Sequence, residues 1–239
     1  IIYQPWNKKH IIFLIPNDIN ILNDEKKITI NNSEILASLT IDKFSKGRVS
    51  IVSDKIIFNL KKEIYDFSQI EIHLQTKDIE NLQFAILIKK LSLPPIFIKE
   101  NTINKLYING DVLKYKNFDT NNYLDWLSKE GGMQIEKFKL DINKTNISGN
   151  AFVSLDKKFD ILNTISISSN NLNNVFILFK KNNYISKNTS IKARLIIDAI
   201  ELASVASNKQ AVFSINIQNG YLYLMGIKLI KVPNLKKYL

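Results

Sequence analysis

Chemistry at neutral pH draws on histidine, cysteine or closely spaced carboxylates, and this chain of 239 residues is poor in all three. It has no cysteine, which excludes a thiolate nucleophile, a thiolate metal site and a disulfide, and leaves the redox compartment open. Its two histidines are His10, beside Lys8 and Lys9, and His73, on the polar side of an alternating segment. Neither has a second histidine at metal-ligand spacing, so both read as ordinary surface residues. The aspartates Asp54, Asp66, Asp78, Asp111, Asp141, Asp156 and Asp160 fall mostly at strand ends and turns, where a side-chain-closed turn accounts for them. A pair such as Asp141 and Asp156 could serve as an acid–base dyad only if it met across strands. The chain has no Gly-x-Ser-x-Gly elbow, phosphate-cradling glycine loop, His-Glu-x-x-His helix or calcium loop. The expectation is a protein without catalytic residues, metal or cofactor.

The aromatic residues carry a different signal. Phe84, Phe97, Phe138, Phe152, Phe176, Phe179, Phe213, Tyr221 and Tyr223 lie among Ile and Leu on strand-like or helix-like stretches. Core packing explains most of them. A curved antiparallel sheet that its helices cover only in part would also leave an apolar groove able to shelter acyl chains.

The elements that would position such residues are mainly strands. Hydrophobic residues make up 45% of the chain and charged residues 23%, the balance of a globular protein. Ile11 to Leu14, Lys27 to Asn31, Ile35 to Asp42, Arg48 to Val52 and Ile56 to Leu60 are rich in Ile, Val and Thr and are separated by polar turns. Ile70, Ile72 and Leu74 alternate with Glu71, His73 and Gln75, and Phe84 to Leu91 is nearly continuous in apolar character until Pro94-Pro95. Lys105 to Lys114 reads as a strand with a tight turn or bulge at Asn109-Gly110. A short helix around Trp126, capped by Asp119 or Thr120, stops at Gly131-Gly132. Strands over Gln134 to Ile142, Asn146 to Leu155 and Ile161 to Ser168 follow.

Leu172, Val175, Phe176 and Phe179 then form one helical stripe, and Ile191, Leu195, Ala199, Leu202, Ala203 and Ala206 a longer one. Final strands run over Ala211 to Gln218 and Tyr221 to Val232, with a turn at Asn219-Gly220. The fold class is therefore mainly β with a few helices (α+β): a long curved antiparallel meander sheet, partly covered by two or three short helices. With no Gly/Ser-rich linker in sight, residues 1–239 read as one elongated β-rich domain, with a soft sub-boundary near 94–118.

The net charge of +11 comes almost wholly from lysine, with Arg48 and Arg194 the only arginines. Nucleic-acid readers favour arginine, so a nucleic-acid partner is not expected; weak attraction to acidic lipid headgroups is compatible with the charge. No apolar run approaches the roughly 18 residues that span a bilayer. The chain begins at Ile1 without an initiator methionine, and an upstream signal or anchor segment is expected.

Trp126 with Gly131-Gly132, then Ile147-Ser148-Gly149 and Val153-Ser154-Leu155-Asp156, resembles domain of unknown function family 2125. So does the ending, with Asn219-Gly220, Gly226 and Val232-Pro233-Asn234-Leu235. The resemblance is strongest over Tyr123 to Leu235, so residues 119–239 carry it. It implies a periplasmic protein of Gram-negative bacteria, anchored to the inner membrane by a segment upstream of residue 1. It also implies a distant similarity to AsmA-like envelope proteins, whose curved sheets form grooves for lipid. No catalytic residue can be carried over.

The expected function is therefore non-enzymatic: binding or conducting lipid through an apolar groove, with Phe84, Ile86, Ile88, Phe138, Leu140, Phe152 and Phe213 as groove candidates. The alternative is an envelope scaffold or protein-interaction module, its core closed by the stripes at Leu172 to Phe179 and Ile191 to Ala206 and its partner another envelope protein.

Overall fold

Ile, Val and Thr at alternate positions favour a pleated, half-buried backbone, and the computed structural model forms strands over most such stretches. It describes residues 2–3, 10–15, 19–23, 26–32, 34–41, 47–60, 63–93, 102–118, 126, 130–142, 145–156, 160–181, 187–207 and 211–232. Among these are sixteen strands, paired antiparallel wherever a register is defined, and two α-helices, so the protein is mainly β. The chain divides into two units, Ile1–Asn109 and Gly110–Leu239.

The N-terminal unit holds β1 (Ile2–Tyr3), β2 (His10–Ile15), β3 (Ile19–Asn23), β4 (Lys26–Asn32), β5 (Ile35–Ile41), β6 (Gly47–Leu60), β7 (Glu63–Thr76), β8 (Leu82–Ser92) and β9 (Thr102–Ile103). The division of the chain falls inside β10 (Lys105–Leu113). Strand order runs β1-β2-β5-β6-β7-β8, with β9 on the end of β8. The long β6 pairs with β5 over its first half and with β4 over its second. Two strands, Arg48 to Val52 and Ile56 to Leu60, were expected here, but Ser53-Asp54-Lys55 stays in the ladder because β7 runs alongside both halves. For the same reason β7 begins at Glu63, well before Ile70. Asn109-Gly110 makes no turn; β10 runs through it, and a Cβ on Gly110 would stand 2.0 Å from the Gln134 carbonyl oxygen. Glycine serves there for close backbone approach.

The C-terminal unit is a meander of β11 (Gly132–Ile142), β12 (Thr145–Leu155), β13 (Ile161–Ser169), β14 (Ala211–Gln218), β15 (Tyr221–Leu224) and β16 (Ile227–Lys231), each paired with the next. Two helices, α1 (Leu172–Lys181) and α2 (Lys187–Ser207), are inserted between the adjacent strands β13 and β14. Asn219-Gly220, with φ of 53° and 69°, is the expected two-residue turn. The segment Tyr221 to Val232, expected as one strand, breaks at Met225-Gly226, where φ is 50° and 81°.

Trp126 lies against Gly131 and donates its indole N–H to the Leu113 carbonyl at 2.8 Å, while Phe118 meets its ring edge-on at 5.1 Å. Any Cβ at Gly131 would strike that indole, which explains the glycine directly after Glu130 (φ 62°). The expected caps Asp119 and Thr120 lie outside the described residues, as does Phe97.

Leu172, Val175 and Phe176 of α1 enter the core, as their spacing requires; the Phe179 side chain lies outside the described set. In α2 the structure corrects the expectation. The buried residues are Ala193 and Ile197, with Ile200 packed beside them, while Ile191, Leu195 and Leu202 are exposed. Ala193, with no accessible surface, allows close approach to the core, and Glu201 fixes the helix rotation by accepting from the backbone and side-chain amides of Asn173.

Candidate functional site

In the N-terminal unit the strand register collects apolar side chains on one face. Three cross-strand rows cross β2, β5, β6, β7 and β8: Ile11–Leu39–Val49–Leu74–Phe84, Phe13–Ala37–Ile51–Ile72–Ile86 and Ile15–Ile35–Ser53–Ile70–Ile88. Ser53 is the one polar member, and its hydroxyl donates to the Lys55 carbonyl at 3.2 Å. Cross-strand neighbours of this kind are the unit of sheet stabilisation. Ile70, Phe84 and Ile88 are buried, whereas Ile51, Ile72, Leu74 and Ile86 keep part of their surface accessible. The groove candidates Phe84, Ile86 and Ile88 thus share a face, all on β8.

The opposite face carries Ser38, Ser50, His73 and Gln75 among scattered apolar residues. His73 Nδ1 lies 2.9 Å from Ser50 Oγ, and its Nε2 lies 3.8 Å from the Glu71 carboxylate. Beyond Gln69, which has φ of 51°, burial moves to the alternate parity, with Ile56, Leu91 and Ile103 buried in register with Phe67.

The C-terminal unit also has an apolar face, but it is occupied. Phe138, Leu140 and Phe213 share it with Ile147, Ile165, Ile167 and Ile215. Leu172, Val175, Phe176, Ala193 and Ile197 of the two helices belong to the same cluster. Gly149 makes room for the Phe138 ring and the Ser166 carbonyl, since an added Cβ would come within 2.8 Å of the ring and 1.9 Å of that oxygen. Phe152, by contrast, pairs with Gln134 and Thr164 on the other side of the sheet, is 36% exposed, and covers Gly132. The register therefore separates Phe152 from the residues with which it was grouped.

Where β13 meets α1 there is a polar cleft of about 720 Å³, lined by Ser169, Asn170, Asn171, Asn174, Glu201 and Ser204 among others. Its polar groups are engaged locally: Asn171 Oδ1 accepts from the Asn174 amide, Asn170 Oδ1 from the Asn146 amide and Ser169 Oγ from the Asn171 amide. Sequence reading missed this cleft, although the run Ser169-Asn170-Asn171 is recognisable as a helix cap. Asp141 and Asp156 are far apart: Asp141 pairs with Asn146 at one end of β12, while Asp156 follows Leu155 at the other and accepts from the Asp160 amide. About ten strand residues, or roughly 33 Å, separate those ends. Among the described residues no group of three or more His, Asp or Glu side chains could hold a metal ion, and no helix is long and apolar enough to cross a membrane.

The model of one protein family, described as an uncharacterized protein conserved in bacteria, domain of unknown function 2125, matches residues 1–233. The chain belongs to this family. Membership in family 2125 extends over the N-terminal unit as well as the segment from Tyr123, where the resemblance was strongest. No curated protein and no solved structure matches the chain. The residues on which the resemblance was read have structural roles: Trp126 and Gly131 form one contact, Gly149 makes room for Phe138, and Gly220 and Gly226 make the two turns of the last three strands.

Proposed function

We propose that this family 2125 protein is a non-enzymatic lipid-binding protein of the bacterial envelope, which holds acyl chains against the apolar face of its N-terminal unit. One observation carries the reading: three rows on a single sheet face, apolar but for Ser53, with no helix among the described residues of that unit. An acyl chain would lie across the rows and gain about 25 cal/mol for each Å² of apolar surface removed from water. The reading places the protein in the periplasm at the inner membrane and relates its sheet to those of AsmA-like proteins, as the family resemblance implies. The separation of Asp141 from Asp156 supports a role that does not use that pair as an acid–base dyad.

The second reading, a protein-interaction scaffold with a closed core, is favoured in the C-terminal unit, where α1 and α2 already fill the apolar face. Protein purified without detergent and extracted with organic solvent distinguishes the two. Stoichiometric phospholipid or fatty acid in the mass spectrum, reduced in the variant Ile86→Glu, is expected. Lipid-free protein that also fails to take up a fluorescent fatty acid would leave only the scaffold.

A further inference from the structure

We propose that the outward side of α2 is a docking surface that seats on an anionic lipid headgroup layer. The helix is apolar on two opposite sides. Ala193, Ile197 and Ile200 face the core, and Ile191, Leu195, Leu202 and Val205 are 67%, 67%, 72% and 79% exposed. At about 100° per residue, Ile191, Leu195, Ala199, Leu202 and Ala206 fall within an arc of about 80°, centred opposite the Ala193–Ile197 side. The stripe runs about 22 Å along the helix at about 1.5 Å per residue. Large side chains this exposed, aligned over four turns, mark a surface that becomes covered.

Charge identifies the cover. From Ile161 to Ile197 the sequence contains no Asp or Glu, yet it carries Lys180, Lys181, Lys187, Lys192 and Arg194. The two carboxylates of α2 are both engaged: Asp198 lies 3.6 Å from Arg194, and Glu201 accepts from Asn173. An apolar stripe in basic surroundings is the composition of a helix lying in the membrane interface. A second copy of the chain fits less well. It would bring the same basic segments together, and one stripe of three large side chains and two alanines offers less than the roughly 800 Å² per partner of a specific interface. This proposal does not rest on acyl-chain binding by the N-terminal unit.

Co-sedimentation of the full chain with large vesicles tests it. Binding to phosphatidylglycerol–phosphatidylcholine vesicles, weaker binding to phosphatidylcholine alone, and a further loss at high salt are expected. The double variant Leu195→Asn with Leu202→Asn is expected to lower partitioning at least about tenfold, the effect of withdrawing one or two aliphatic side chains from an apolar contact. Its far-UV circular dichroism and its fatty-acid uptake stay unchanged, because neither residue faces the core. Equal partitioning of the variant, or no binding of the parent to anionic vesicles, overturns the proposal. So does a parent dimer in analytical ultracentrifugation that the double variant dissociates.

Discussion

The apolar face of the N-terminal unit and that of the C-terminal unit have the same origin in alternating Ile, Val, Leu and Phe on antiparallel strands. They differ in what lies against them. In the C-terminal unit the chain leaves the sheet after β13, forms α1 and α2, and returns as β14 beside the strand it left, so the helices pack over the rows they interrupt. The described part of the N-terminal unit contains strands alone. Periodicity therefore specifies that an element has an apolar side, and topology decides whether helices are laid over that side.

Charge placed on the two faces gives the largest separation between them. Ile215 sits in the filled core at 8% exposure, and Ile215→Glu would bury a lone carboxylate, a cost of several kcal/mol. The expected outcome is loss of cooperative unfolding of the C-terminal unit, read by urea denaturation. Ile86→Glu changes a half-accessible residue at the end of the middle row, and the expected outcome is a folded protein that no longer retains lipid. If both variants fold equally well, the contrast between filled and binding face is wrong.

Truncation gives a smaller effect of the same kind. Leu172, at 1% exposure, is the largest fully buried side chain among the described residues, and Leu172→Ala is expected to cost about 2–5 kcal/mol of unfolding free energy. Ile86→Ala removes a side chain that is only partly enclosed and is expected to cost about 1 kcal/mol. Trp126→Phe keeps an aromatic ring over Gly131 but deletes the donor to the Leu113 carbonyl, for an expected loss of about 1 kcal/mol.

Much of this architecture was legible in the residues. The alternation at Ile70 to Leu74 gave the correct face, Asn219-Gly220 gave the correct turn, and Leu172, Val175 and Phe176 gave the correct side of α1. The failures have separate causes. In α2 both sides are apolar, so periodicity could not choose between them; the small Ala193 and the contact from Glu201 to Asn173 decided it. Phe152 resembled Phe138 as an aromatic on a strand, but parity within β12 puts it on the opposite side from Ala151 and Val153. The break at Met225 was hidden because a non-glycine residue with positive φ leaves no compositional mark, although Gly226 beside it did.

The smallest expected effect lies in the tight connection between β7 and β8, in the unit whose described residues form no helix. Asp78 Oδ1 accepts from the Glu80 and Asn81 backbone amides at 2.8 Å each, and Oδ2 accepts from the Asn81 side-chain amide at 2.9 Å. These bonds favour the carboxylate, the Asn81 side chain contributing most and the two backbone amides next, so the pKa lies below its ordinary value of 3.8. A lowered folded-state pKa means that the contribution to stability is present above 3.8 and is lost as the pH falls through the folded-state value. Asp78→Ala should therefore lower Tm slightly at neutral pH, and its difference from the parent should shrink as the pH is taken below 3.8. A difference that stays constant through that range would mean that the turn depends on backbone shape, with no contribution from carboxylate charge. The connection would then support the register of β7 and β8 through its shape alone.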